Sequence, residues 1–219
     1  GRFVFLAQAS EFSVDAIDWR ASEYPKLWRY NLHYFDWLKN SEPDDRWADY
    51  SISSWIAHNP AGSADAWEPY TVSLRLVNWI KFFLARQRAG ISVPEEWLFS
   101  LVQQGEWLNR NIEYHIRANH LLKNLVAMLW FCTYLQSDAR FSVWRDRYCD
   151  LLERELAHVV DVERRAAGDR QAHAVRDQRV ALCERVEDGD LVGQGGEPPG
   201  AIAAEILPEP LRYDRQELD

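Results

Sequence analysis

The segment that decides the fold covers residues 117–131 and reads RANHLLKNLVAMLWF. A polar group that includes Asn119 and His120 is followed by apolar residues on nearly every face of the predicted helix. Such a helix has to be buried, so only its first turn offers hydrogen-bonding groups to a ligand. Taken alone, the segment favours the simpler interpretation, in which Asn119 is an N-cap and His120 an ordinary first-turn residue. The rest of the chain has to decide between these interpretations.

The composition is that of a globular protein, because 47% of the 219 residues are apolar. The chain contains 11 Trp, 9 Tyr and 9 Phe, residues that fill cores and also present flat faces to sugar rings. Its net charge of −9 argues against a nucleic-acid partner and against an anionic membrane surface. No apolar run is long enough to predict a membrane span. Cys132, Cys149 and Cys183 lack metal-ligand spacing and are interpreted as free thiols.

The aromatic residues are unevenly distributed, because every Trp lies between Trp19 and Trp144 and only Tyr213 follows Tyr148 among the aromatics. Residues 151–219 contain no Ser, Thr, Asn, Lys, Phe, Trp or Met. We therefore predict a domain over residues 1–167 and a largely irregular acidic tail over 168–219. The missing residue types also suggest that the tail is translated from a shifted reading frame.

Within the predicted domain, most residues show helical patterns, and a short extended segment is predicted at 2–6. Helices are predicted over 25–38, 45–57, about 69–88, 94–112, 119–136 and 139–167. Short connections make antiparallel helix hairpins the expected arrangement. Because some helices are apolar on most sides and others are amphipathic, we predict an all-α fold with an inner layer covered by an outer one.

Three segments resemble the N-terminal α/α-toroid domain of the heparinase II/III-like polysaccharide lyases, relatives of alginate lyases. They are LWRYNLHYFDWL at 27–38, WEPY at 67–70 with SLRLVNWI at 73–80, and NHLLKN at 119–124. The resemblance covers residues 2 to about 156. It implies an incomplete (α/α) toroid that binds a uronate-containing polysaccharide and, if complete, cleaves it by β-elimination. It places Asn119 and His120 in the active site and requires no metal or cofactor.

The chemistry of elimination explains these residue types. A base removes the proton at C5 of the uronate, and an acid protonates the oxygen that leaves C4. Asn119 would stabilise the charge that grows on the substrate carboxylate, and His120 would donate a second hydrogen bond or act as the base. Arg75 carries a fork-shaped cation that suits a carboxylate or a sulfate.

The remaining predicted substrate-binding residues offer stacking faces and hydrogen bonds to sugar rings; they are Asn78, Trp67, Tyr70, Tyr30, Asn31 and His33. Each has a structural alternative. Arg75 is as well explained by an internal ion pair, and Asn78 and Asn31 by caps or crosslinks between helices. Tyr30, Tyr34, Trp37 and Trp79 suit a core, and His33 in an apolar helix suits a satisfied core histidine.

One departure from the family concerns a Tyr-His dipeptide that should follow the Asn-His pair by some fifty residues. That region reads RQAHAV at 170–175, with no tyrosine between Tyr148 and Tyr213. We therefore expect a truncated or frame-disrupted lyase domain of weak or no activity. A non-catalytic sugar-binding protein stays open as an alternative, as does a glycoside hydrolase with Asp36, Asp65 or Glu68 as its acids.

Overall fold

The computed structural model describes residues 2–12, 16–117 and 119–167, with side chains as far as 162. In these ranges the chain is mostly helical, and its strands form one two-stranded hairpin, which confirms the predicted all-α class. The predicted tail at 168–219 lies outside the described residues, and its separation from the domain stays a prediction.

Six α-helices form the described fold, and their bounds lie close to the predicted ones. They are α1 (Lys26–Tyr34), α2 (Arg46–His58), α3 (Pro69–Arg88), α4 (Glu95–Arg110), α5 (Asn119–Tyr134) and α6 (Ala139–Ala167). Local signals explain the ends. The Asp45 side chain caps α2 by accepting hydrogen bonds from the backbone N–H groups of Trp47 and Ala48. Pro69 opens α3, and Gly90, with φ of +72°, follows its end.

The predicted first helix is wrong in its last four residues, because α1 ends at Tyr34 and does not continue to residue 38. Phe35 adopts a left-handed conformation with φ of +57°, and a short 3₁₀ helix, Asp36–Asn40, follows. This kink buries the Phe35 ring completely, with the rings of Trp19 and Trp79 at centroid distances of 5.6 and 5.4 Å. Tertiary packing therefore overrides the local helical preference.

The extended segment at the start of the chain belongs to a β-hairpin. Strand β1 (Arg2–Phe5) pairs antiparallel with β2 (Gln8–Glu11), and Leu6 and Ala7 between them both have positive φ. Positive φ at both central residues is the geometry of a tight hairpin turn. The turn contains neither Gly nor Asn, so the sequence carries no conventional signal for it.

Helices α3 and α5 form the centre of the described fold. Helix α5 packs between α3 and α6, and α3 also contacts α1 and α4. A side chain at Gly105 on α4 would overlap the Phe131 ring of α5, so glycine is what lets these helices approach. Trp79, predicted to suit a core, is fully buried. In the part of the chain that the structure describes, no helix has the length and apolar character needed to cross a membrane.

Candidate functional site

His120 and Asn119 lie at the start of α5, at the surface of the fold. Asn119 is the first residue of the helix and is exposed, while the His120 side chain is 40% exposed. The segment leading into the helix turns back on itself, because the backbone N–H of Leu121 donates to the carbonyl of Ile116. Both side chains are accessible to a ligand.

A carboxylate that the sequence analysis missed lies beside His120. Glu113 places Oε1 at 3.2 Å from Nδ1 of His120 and Oε2 at 3.3 Å from Nδ2 of Asn124. The backbone N–H of Glu113 donates to Oδ1 of Asn124 at 2.8 Å. Asn124 is fully buried, and its amide also donates to the hydroxyl of Ser73 on α3 at 3.0 Å. The imidazole is therefore attached to the core through one carboxylate and one amide.

The spacing of the chain contains a signal for this arrangement. His120 and Asn124 are four residues apart in a helix, so they share one face. A residue in the turn before the helix can reach both of them. Nothing in the spacing, however, selects Glu113 among the polar side chains of that turn.

The Tyr70 ring on α3 packs against the imidazole of His120, with centroids 4.5 Å apart and planes inclined by 39°. Tyr34 follows at 6.1 Å from Tyr70, and Tyr30 at 6.5 Å from Tyr34. All three tyrosines are partly exposed. We call Tyr30, Tyr34 and Tyr70 the tyrosine row. Burial raises the pKa of Tyr34 to about 12 and also raises the pKa of Tyr30, so both keep their hydroxyl protons at neutral pH.

A lysine closes the far end of the tyrosine row. Nζ of Lys26 lies 5.1 Å from the centroid of the Tyr30 ring and 3.4 Å from Oε1 of Glu68. The Lys26 side chain is exposed. The row therefore runs from an imidazole at one end to a cation at the other, along α3 and α1.

Arg75 is placed differently from the prediction, because it is fully buried. Its Nε donates to Oε1 of Gln104 at 2.8 Å and its Nη1 to the carbonyl of Ala66 at 2.8 Å, and the guanidinium lies 3.9 Å from the Trp55 ring centroid. Burial lowers the pKa of the guanidinium well below its ordinary value. The predicted contact with a substrate carboxylate or sulfate is thus corrected: Arg75 is a core residue, and amide and carbonyl oxygens take the place of the internal acid.

Trp67 and His33 are also core residues, which corrects their predicted contact with sugar. Trp67 is 3% exposed, and its indole N–H donates to the carbonyl of Asn59. His33 is 2% exposed and accepts a hydrogen bond at Nδ1 from the indole of Trp55 at 3.1 Å. Burial, with Arg75 nearby, lowers the pKa of His33 to about 3, so the ring is neutral. His33 is the satisfied core histidine of the structural alternative.

The two remaining predicted residues, Asn31 and Asn78, are partly buried and bonded to the backbone. The Asn78 amide donates to the carbonyl of Tyr34 at 2.9 Å and so links α3 to the end of α1. The Asn31 amide donates to the carbonyl of Leu27 within its own helix at 2.8 Å. The Asn78 contact is the crosslink between helices that the structural alternative predicts, whereas the Asn31 contact lies within α1 and is neither a cap nor a crosslink.

The acids considered for a glycoside hydrolase each pair with a cation. Asp36 pairs with Lys39, Asp65 with Arg29 at 2.7 Å, and Glu68 with Lys26. Each carboxylate is thus held by its own counter-ion. Among the residues with described placement, no cluster of three or more His, Cys, Asp or Glu side chains could hold a metal ion.

Comparison of the chain with protein-family models, with curated proteins and with solved structures found no significant match.

Proposed function

We propose that the chain binds a uronate-containing polysaccharide along the tyrosine row, with one sugar beside His120. The observation that carries the proposal is the partly exposed imidazole of His120, held between the Glu113 carboxylate and the Tyr70 ring at the end of three tyrosines. Tyrosine rings provide apolar faces for sugar rings, and their hydroxyls provide hydrogen bonds. The exposed ammonium of Lys26, which also pairs with Glu68, provides a partner for a carboxylate or a sulfate at the far end.

The proposed reaction at this site is β-elimination. His120 takes the C5 proton, the electrons of that C–H bond form the C4–C5 double bond, and the C4–O bond breaks. The leaving oxygen takes a proton from an acid, for which Tyr70 is the candidate because its ring contacts the imidazole. Asn119, exposed at the first position of α5, donates to the substrate carboxylate as negative charge grows there.

We further propose that the helices form part of an (α/α) toroid. The support is that α3 and α5, the helices carrying Tyr70 and His120, are central and are flanked by α1, α4 and α6. A site at one end of an inner layer is a common place for a ligand between packed helices. The sequence resemblance to the heparinase II/III-like lyases supports the same arrangement.

The test follows the absorbance of unsaturated uronate while the chain is incubated with heparan sulfate, alginate and hyaluronan. We expect Asn119→Ala and His120→Ala to abolish the increase in absorbance. For His120→Ala, which removes the base, the rate should fall by about 100-fold or more. His115→Ala is the matched control, because His115 is exposed five residues earlier in the chain. A signal that survives in both site variants would refute the proposed reaction.

Binding without turnover is the second candidate function, favoured because the tyrosine row is present while residues 149–212 contain no tyrosine to match the family's Tyr-His dipeptide. Affinity electrophoresis in gels containing each polysaccharide separates the two candidates. Tyr30→Ala is expected to weaken binding by about 3- to 10-fold, the effect of one aromatic stacking contact. Tyr114→Ala, which removes another exposed tyrosine, is the control.

A further inference from the structure

We infer that Glu113 is a positioning residue that holds His120 in a single tautomer, with the proton on Nδ1 and the lone pair on Nε2. This inference rests on the proposed function for its consequence in catalysis. Its structural part rests on the contacts of Glu113 alone. An ionised carboxylate can accept hydrogen bonds but has none to donate. The 3.2 Å contact between Oε1 and Nδ1 is therefore a hydrogen bond only when Nδ1 carries the proton.

The carboxylate itself is fixed on its other side. Oε2 of Glu113 accepts from Nδ2 of Asn124, and that same amide donates its second hydrogen to Ser73. The amide oxygen of Asn124 accepts from the Glu113 backbone. Both hydrogens and the oxygen of the Asn124 amide are therefore bonded, and the amide cannot flip without losing all three bonds. Since Asn124 is fully buried, this loss would leave its polar atoms with no hydrogen-bond partner, because water cannot reach them.

Glu113 is also sheltered, with a side chain only 11% exposed, whereas the His120 ring is 40% exposed. The carboxylate contacts Nδ1 of a ring that is partly exposed, so Nε2 is the nitrogen that remains for a ligand. A neutral imidazole in this tautomer presents Nε2 as an acceptor. When Nε2 takes the C5 proton, the ring becomes an imidazolium, and the adjacent carboxylate stabilises that charge.

The experiment measures the tautomer directly, from the nitrogen chemical shifts of the chain labelled with ¹⁵N-histidine and recorded in alkaline solution. We expect the Nδ1–H form for His120 in the unmodified chain. Glu113→Ala should convert it to a mixture or to the Nε2–H form, while Glu113→Gln, which keeps an acceptor oxygen, should retain part of the Nδ1–H form. His58 is the internal control, because its Nδ1 contacts the carbonyl of Ser54 at 2.7 Å and must stay unchanged.

Two outcomes overturn the inference: the Nε2–H form for His120 in the unmodified chain, or the same tautomer in Glu113→Ala as without the change. Where the elimination reaction is observed, Glu113→Gln is expected to lower kcat by about 100-fold with little change in KM. The tautomer does not depend on turnover. An Nδ1–H form lost in Glu113→Ala, from a chain that releases no unsaturated uronate, would support the positioning role and refute the proposed reaction.

Discussion

Two polar clusters in this molecule use similar side chains and lie in opposite environments. The interior cluster consists of Arg75, His33, Trp55 and Gln104, and every member is at most 2% exposed. The surface cluster consists of His120, Glu113, Asn124 and Tyr70, in which Asn124 and Glu113 are buried and the His120 and Tyr70 rings are partly exposed. The Arg75 fork was one of the groups predicted from the sequence to bind substrate, yet burial gives it a structural role. The clusters differ in solvent access, because the His120 side chain is 40% exposed whereas Arg75 is fully enclosed.

The largest expected difference between the clusters is in stability, and it concerns Arg75. Arg75→Ala removes a fully enclosed side chain and leaves Gln104 and the Ala66 carbonyl without their donor, so we expect a loss of about 3–5 kcal/mol in the free energy of unfolding. Arg75→Met fills most of the same volume and removes a buried charge, so it should cost less. Urea unfolding followed by circular dichroism measures both. A loss below about 1 kcal/mol for Arg75→Ala would contradict the assignment of Arg75 to the core.

The next effect is a dependence of stability on pH that comes from His33. The unfolded chain takes up a proton at His33 below its ordinary pKa of 6.5, whereas the folded chain does so only near pH 3. The unfolded state therefore binds more protons in this window, and the free energy of unfolding falls as the pH falls, by up to about 1.4 kcal/mol per pH unit. The stability that the neutral ring provides is fully present above pH 6.5.

The control for this dependence is His33→Gln, whose side-chain oxygen can still accept from the indole of Trp55. Its free energy of unfolding should vary less steeply between about pH 6.5 and 3. Urea titrations at a series of pH values compare the two chains. Equal slopes would mean that the acid sensitivity arises elsewhere.

The smallest effect on stability is expected in the surface cluster. His120→Ala should cost less than about 1 kcal/mol, because the ring is 40% exposed. A double-mutant cycle with Tyr70→Leu should give a coupling of about 0.5 kcal/mol, the lower end of the range for one aromatic pair, because the imidazole is partly exposed. Thermal unfolding measures both. A cost for His120→Ala as large as that for Arg75→Ala would remove the distinction between the clusters.

The helices could be predicted well because their signals are local. Asp45 as a cap, Pro69 in a first turn and Gly90 after an end all act through neighbouring backbone groups. The break at Phe35 could not be predicted, since it depends on distant tryptophans that receive the ring. The hairpin turn could not be predicted either, because Leu6 and Ala7 are not residues that favour positive φ.

The candidate site also has one part that could be predicted from the sequence and one part that depends on packing. The sequence by itself determined that Asn119 and His120 open a helix whose later turns are apolar, because helical periodicity fixes which residues share a face. Only the tertiary structure decided that Arg75, Trp67 and His33 face inwards and that Glu113 reaches the imidazole. The physical reason is that periodicity says nothing about what covers each face. Burial, hydrogen-bond partners and pKa are properties of the packed chain.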